Sequence, residues 1–304
     1  MDLDLTADQV SLRDGIASLL EGRFGSDRIR GGFDRAAFDE LTGAGVFSLR
    51  ADGFSWSDCT VVFEQLGRFC VPGPLVESLL LGDGHVAGLV EPAPDGSAWV
   101  EHLDALDAIF VLRDDALARV DPAGIDADPS TWPLDPLTPI ARVPSLPSGE
   151  AVAVDVVDLR RTGAVLTAAF QVGIADRCTE LAVAYAKERE QFDRPIGGFQ
   201  AIKHILADML TRTEVARAAV YAAGAHLDAP DVAALDRSVS VAKAVAGEAA
   251  VTNGKSATQV YGGMGFTWQV DVHLFLKRAW VLDTHFGAPD EHCDTVAAAV
   301  IARA

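Results

Sequence analysis

The stretch Tyr185-Ala-Lys-Glu-Arg-Glu-Gln-Phe-Asp-Arg-Pro-Ile-Gly-Gly-Phe-Gln200 decides how this chain is read. It lies between two long segments whose apolar residues recur at helical spacing. Pro195 removes a backbone donor and Gly197-Gly198 supply free torsions, so a helix running to about Phe192 has to stop and a new one can start near Phe199. The corner carries Arg189, Gln191, Phe192 and Gln200 at fixed offsets. A guanidinium fork at a helix end suits a diphosphate, with an aromatic three residues later able to stack on a base. It equally suits the negative end of the helix dipole. On the residues alone both readings of Arg189 stand.

Around the corner, the pattern is helical from Val156 to the end. Leu166, Phe170, Ile174, Leu181 and Tyr185 form one apolar stripe, and Ile202, Leu206, Met209, Thr213, Ala216 and Val220 a second. Val232, Leu235, Val239, Ala242, Ala246 and Ala249 form a third. The second and third alternate steps of three and four, the seam of antiparallel helices at a shallow angle, which predicts a four-helix bundle completed by segments near 269–284 and 290–303. Upstream, four helices are predicted: 5–24, with Thr6 and Gln9 as a capping box, then 34–41, 55–70 and 75–81. Nine of the fourteen prolines fall between residues 91 and 147, among short alternating stretches such as Ala108-Ile-Phe-Val-Leu112, which predicts a small β-rich region there. The expected fold is mainly α: an N-terminal helical domain (1–90), a shortened β-rich middle domain (91–154) and a C-terminal helical bundle (155–304).

Composition narrows the function. The formal net charge of −19 argues against nucleic acid or an anionic membrane surface as a partner. The charge is uneven: residues 1–150 hold 26 acids against 10 arginines and no lysine, while residues 151–304 hold 18 acids against 15 bases, so an anionic ligand belongs with the second half. Cys59, Cys70, Cys178 and Cys293 are scattered without C-x-x-C spacing, which fits buried or free thiols in a reducing compartment. The opening Met1-Asp-Leu-Asp-Leu5 is acidic and resembles no export signal, and no uninterrupted apolar run reaches the length of a membrane span, so a cytoplasmic protein is expected.

The second informative stretch is Gln259-Val-Tyr-Gly-Gly-Met-Gly-Phe266. It follows a helix rather than a strand and lacks the spacing of a dinucleotide fingerprint; by itself it reads as a glycine-rich helix cap. Taken with the corner, it carries a resemblance. Arg189-x-x-Phe192-x-x-Pro195-Ile196-x-x-Phe199-Gln200, followed by Ala207-Asp208-Met209, resembles the R-x-x-F-G-x-P-I-x-x-F-Q…A-D-M segment of acyl-CoA dehydrogenases, and Gln259-x-x-Gly262-Gly263 resembles their Q-x-x-G-G signature. Phe63-Glu-Gln-Leu-Gly-Arg68 before Pro72-Gly-Pro74 is a looser likeness to their N-terminal domain. In that family the two segments act in trans, holding the pyrophosphate and adenine side of an FAD whose ring lies in the neighbouring subunit. The resemblance places this role on Arg189, Gln191, Phe192, Gln200, Gln259, Gly262 and Gly263.

The departures are equally informative. The family's flavin-ring segments, Y-x-x-[TS]-E-P and W-x-[TS], are missing between residues 91 and 150, and Trp99 and Trp132 read as packing or turn aromatics. The reaction also needs a carboxylate to remove the proton α to the thioester carbonyl while hydride passes to the flavin. One family position for that base holds Phe286, in Phe286-Gly287-Ala288, and the other falls near Gly163, beside Arg160 and Arg161. Asp283, Asp290 and Glu291 stand nearby and read as solvated helix-end charges. His285, His292 and Cys293 lack the spacing of helical metal ligands, so no metal is expected.

The resemblance thus implies the shortened subunit of a heteromeric acyl-CoA dehydrogenase of the type used on steroid side-chain CoA thioesters. Its expected partners are a homologous catalytic subunit in an α2β2 assembly, an acyl-CoA and an electron-transfer flavoprotein. Two other readings stay open: a stand-alone flavoprotein with different chemistry, and a structural subunit without flavin.

Overall fold

The computed structural model describes residues 4–230 and 234–302, so residues 1–3 of the acidic opening and Val232 of the third stripe lie outside the described residues. The first five helices are α1 (Ala7–Arg23), α2 (Ser26–Arg30), α3 (Arg35–Gly43), α4 (Trp56–Arg68) and α5 (Leu75–Leu81). Strands β1 (Ala87–Val90), β2 (Ala98–Glu101), β3 (Ala108–Arg113), β4 (Ala116–Val120), β5 (Asp128–Pro129), β6 (Ile140–Val143) and β7 (Glu150–Val152) follow. The long helix α6 (Val156–Glu188) leads through a hairpin of β8 (Glu190–Gln191) and β9 (Arg194–Pro195) to α7 (Gln200–Asp228), α8 (Leu235–Tyr261), α9 (Val272–Leu282) and α10 (Pro289–Ile301). The fold is mainly α, with helices at both ends of the sequence and small sheets in its middle, as the sequence predicts. Among the described residues, no helix is long and apolar enough to cross a membrane.

The chain divides into two compact units. One comprises residues 1–26, 56–71 and 164–304, the other residues 27–55 and 72–163, and the division falls inside α6 after Gly163. In the second unit β1 runs parallel to β3, which continues antiparallel into β4 and β7, and β2, β6 and β5 form a smaller sheet. Strand β1 starts before the predicted β-rich stretch because its partner is distant: Ala87 is in register with Ala108. Phe110, Leu112 and Leu117 of this sheet pack with Val156 and Leu159 at the start of α6. Trp99 and Trp132 lie on the outside, Trp132 with 91% of its surface exposed, so neither packs into a core.

In the first unit, α1 begins with the predicted capping box: Gln9 N donates to Thr6 Oγ1 (3.2 Å) and Thr6 N donates to Gln9 Oε1 (3.1 Å). Helix α4 is also capped from a distance. Asp228, at the end of α7, accepts from Trp56 N (2.7 Å) and Ser57 N (2.9 Å). Gly67 of α4 and Gly173 of α6 lie backbone to backbone. A Cβ on Gly67 would run into the Phe170 carbonyl, and one on Gly173 into the Glu64 carbonyl, so only glycine permits this approach. Around this contact an ionic network joins α4, α6 and α7. Arg217 binds Glu64 (2.9 Å) and Asp176 (3.2 Å), Tyr221 donates to Glu64 (2.6 Å), and Arg68 binds Asp176 and Glu180 (2.7 Å). Burial and the Glu64 carboxylate push the Tyr221 phenol far above its usual range.

The bundle core is built from the predicted stripes, with Leu166, Ile174, Met209, Val220, Ala242 and Ala246 fully buried. Asn253 of α8 is one of several buried polar residues among them. Its amide donates towards Ala175 O and Thr179 Oγ1 of α6 and towards Met209 O and Thr213 Oγ1 of α7, all within 3.3 Å. One buried amide satisfied by two neighbouring helices fixes their register, since sliding any of them would orphan it.

Candidate functional site

At the corner, α6 ends at Glu188, earlier than the predicted Phe192. Arg189 N still donates to Tyr185 O (2.8 Å), but β8 and β9 then pair, Glu190 opposite Pro195 and Gln191 opposite Arg194. The two turn residues, Phe192 and Asp193, are both left-handed (φ 55° and 59°), the form whose twist matches a two-residue hairpin. Asp193 stands where the resembling pattern has glycine. Phe192 projects from the tip, 86% exposed, with its ring edge on Phe199 at 6.0 Å. Arg194 covers the Phe199 ring at 4.0 Å, and α7 begins at Gln200, close to its predicted start.

The second stretch closes α8. The helix ends at Tyr261, Gly262 takes φ 61°, and residues Gly262–Phe266 form a 3-10 turn. The rings of Tyr185 and Tyr261 stack with centroids 4.1 Å apart and planes 14° off parallel, and the Tyr261 hydroxyl donates to Leu181 O (3.4 Å). Arg189 follows Tyr185 by one helical turn and Gly262 follows Tyr261 directly, so the stack brings the two stretches to the same end of the bundle. Nothing local in the sequence announces it, because α7 and most of α8 separate the two tyrosines.

The side chains gathered here suit the tail of a flavin dinucleotide. Arg189, Gln200 and Gln259 are exposed, and among the described residues their side chains have no hydrogen-bond or ion-pair partner. Among the described residues nothing stands within 4 Å of where a Cβ would be on Gly262 or Gly263, so backbone there can be approached closely. Phe192 offers a bare aromatic face. Gln191 differs, since its amide already donates to Glu190 O (2.7 Å). An open guanidinium for a diphosphate, two free carboxamides and a face for a planar base make a coherent donor set.

The positions expected to lack a base are built differently. Gly163 lies within α6, and Phe286 follows α9 with φ 55°. His292 of α10 holds this turn: its Nε2 lies 3.2 Å from the Phe286 carbonyl and its Nδ1 3.2 Å from Ser240 Oγ. That arrangement has Nε2–H donating and Nδ1 accepting, and burial lowers the imidazole pKa. Lys243, only 2% exposed, donates to the carbonyls of Leu282 (3.1 Å) and Asp283 (2.9 Å), and burial brings its pKa down to about 8.

Asp283 corrects the solvated reading. Its carboxylate turns inward onto Gly247, close to where the amide of the buried Gln171 also reaches, and burial raises its pKa against the opposing pull of Lys243. The cause is the missing side chain at Gly247, which no spacing rule reveals. Glu291 behaves as expected, capping α10 through Ala288 N (2.9 Å), and Asp290 is exposed in the same turn. Among the described residues no disulfide forms: Cys59, Cys70 and Cys178 are buried thiols and Cys293 is exposed.

With the fold and this geometry established, comparison with known proteins identifies the class. The acyl-CoA dehydrogenase C-terminal domain model matches residues 152–301. Acyl-CoA dehydrogenase IpdE2 of Mycobacterium tuberculosis is 33% identical over 295 residues, spanning 88% of this chain and 89% of that protein. Acyl-CoA dehydrogenase FadE34 of the same organism is 33% identical over 283 residues, spanning 81% of this chain but 39% of that protein. Among solved structures, the ChsE4-ChsE5 complex from Mycobacterium tuberculosis shares the fold, with a TM-score of 0.83 over 99% of both chains at 20% identity. The chain belongs to the acyl-CoA dehydrogenase family, a class of oxidoreductases.

Proposed function

We propose that this chain is the non-catalytic subunit of a heteromeric, FAD-dependent acyl-CoA dehydrogenase. Phe286 and Gly163 at the two family positions for the base carry the reading, since without a carboxylate there the proton α to the thioester has no acceptor in this chain. Arg189, Gln191, Phe192, Gln200, Gln259, Gly262 and Gly263 would hold the diphosphate and adenine side of the FAD. The bound flavin would supply hydride acceptance, and a homologous partner subunit the base and the ring-side contacts. Support for a partner comes from two directions. A structure sharing the fold is a complex of two differently named chains, and in FadE34 the region like this chain is 39% of a longer protein. Another structure of the same fold is a steroid acyl-CoA dehydrogenase, which favours a bulky ring-bearing acyl-CoA, and one from Acidaminococcus fermentans concerns an electron transferring flavoprotein, which favours such a protein as the electron acceptor. An α2β2 cytoplasmic assembly with three domains, 1–90, 91–154 and 155–304, completes the proposal.

The experiment is a visible spectrum and an acyl-CoA assay on the chain purified alone and co-expressed with a full-length homologue. A colourless chain that yields flavin and turnover only as a complex is expected; turnover by the single chain overturns the proposal. The inward carboxylate of Asp283 supports one rival, a stand-alone enzyme with a substitute base. Loss of single-chain turnover in Asp283→Asn would establish that rival.

A further inference from the structure

The stacked tyrosines are not among the residues so far given to the cofactor, yet both candidate segments are rooted on them. Ala186, next to Tyr185, receives the hairpin's return: a Cβ on Gly197 would stand 2.9 Å from the Ala186 carbonyl, and Ile196 N donates to Arg189 O (2.8 Å). On the other side, the turn after α8 folds back onto Tyr261. A Cβ on Gly265 would stand 2.7 Å from Thr258 O and 3.1 Å from Tyr261 Cβ. The hairpin is thus packed on the residue that follows Tyr185 and the glycine turn on Tyr261 itself, and the two rings are pressed together.

We propose that Tyr185 and Tyr261 are positioning residues that set the spacing between Arg189 and the Gly262-Gly263 backbone, so that one diphosphate-and-base ligand meets both. This deepens the FAD-tail reading and rests on it. Neither ring is asked to touch the ligand. A stacked pair holds its partners at one separation with little rotational freedom, whereas two aliphatic side chains would let the ends of α6 and α8 drift apart.

The test is FAD titration, read by flavin fluorescence, of the full chain co-purified with a full-length homologous dehydrogenase subunit. Tyr261→Phe keeps the stack and loses only the long bond to Leu181, so it should bind FAD as the wild type does. Tyr261→Leu should weaken binding about 3- to 10-fold with helix content unchanged. Combined with Arg189→Ala it should add less than its single effect, because a misplaced grip and an absent grip fail in the same way. If Tyr261→Leu does not fold, Tyr185→Leu removes the stack from the other ring and is judged identically. Weakening by Arg189→Ala but not by the leucine variants overturns this inference and leaves the cofactor reading intact. Undiminished binding in all of them, Arg189→Ala included, overturns both.

Discussion

Helix α8 carries two regions with opposite characters. Near its start, Lys243 is buried and spends its donors on the Leu282 and Asp283 carbonyls, while Ser240 and His292 hold the turn of Phe286. At its end, roughly 27 Å further along the axis, Tyr261 leads to glycines facing open space, beside an arginine and carboxamides that have no side-chain partner among the described residues. Polar groups that satisfy one another stabilise a fold and leave little for a ligand, while exposed, unengaged groups add nothing to the fold and are free to bind one. In a family whose members need both a cofactor grip and a base, this chain keeps the open kind of region where the grip is expected and the closed kind where the base would stand.

The contrast breaks most directly at Arg189. Arg189→Ala should remove a charge-assisted contact worth about 2 to 3 kcal/mol, or roughly 30- to 100-fold in FAD affinity of the complex, with the melting temperature unchanged. Normal flavin occupancy in that variant would return Arg189 to the helix dipole, and the open region would lose its meaning.

The closed region is sharpened by pH. The Lys243 ammonium titrates at about 8 when folded against an ordinary value of 10.5. Between these values the unfolded chain still binds the proton that the folded chain has released, so stability rises with pH across the window. From pH 8 to 9.5 the wild type should gain about 1 to 2 kcal/mol relative to Lys243→Met, compared by urea melts at both pH values. Parallel pH dependence in the two proteins would mean that Lys243 is better solvated than its burial implies.

A smaller effect belongs to the hairpin tip. Asp193 occupies a left-handed position with no side-chain hydrogen bond among the described residues, so Asp193→Gly should stabilise the chain by about 0.5 to 1 kcal/mol. Removing a carboxylate beside an anion grip should also tighten FAD slightly. A lower melting temperature would instead assign the Asp193 side chain a structural task.

Legibility in the sequence followed the range of the interactions. Thr6 with Gln9, the apolar stripes and the corner at Pro195 are local, and each gave its element within a few residues. Helix α6 stops short of Phe192 because a two-residue turn captured Glu190 to Pro195, a competition that periodicity does not register. The setting of Asp283 is not legible in the sequence because it is made by Gly247, in α8. Of the candidate site, the residues were legible through their spacing, while the Tyr185–Tyr261 pairing that unites them was not.

The backbone contact of Gly67 with Gly173 has a consequence for synthesis. Helix α4 leaves the ribosome long before its counterpart in α6, and at about 5 to 20 residues per second the delay is on the order of 5 to 20 seconds. Through that interval the backbone of α4 at Glu64 and Gly67, which in the finished protein meets Gly173 and Phe170, has no partner from α6. The segment made early is completed late, so the nascent chain is a natural client for chaperones, and slowing translation between α4 and α6 should lower its soluble yield.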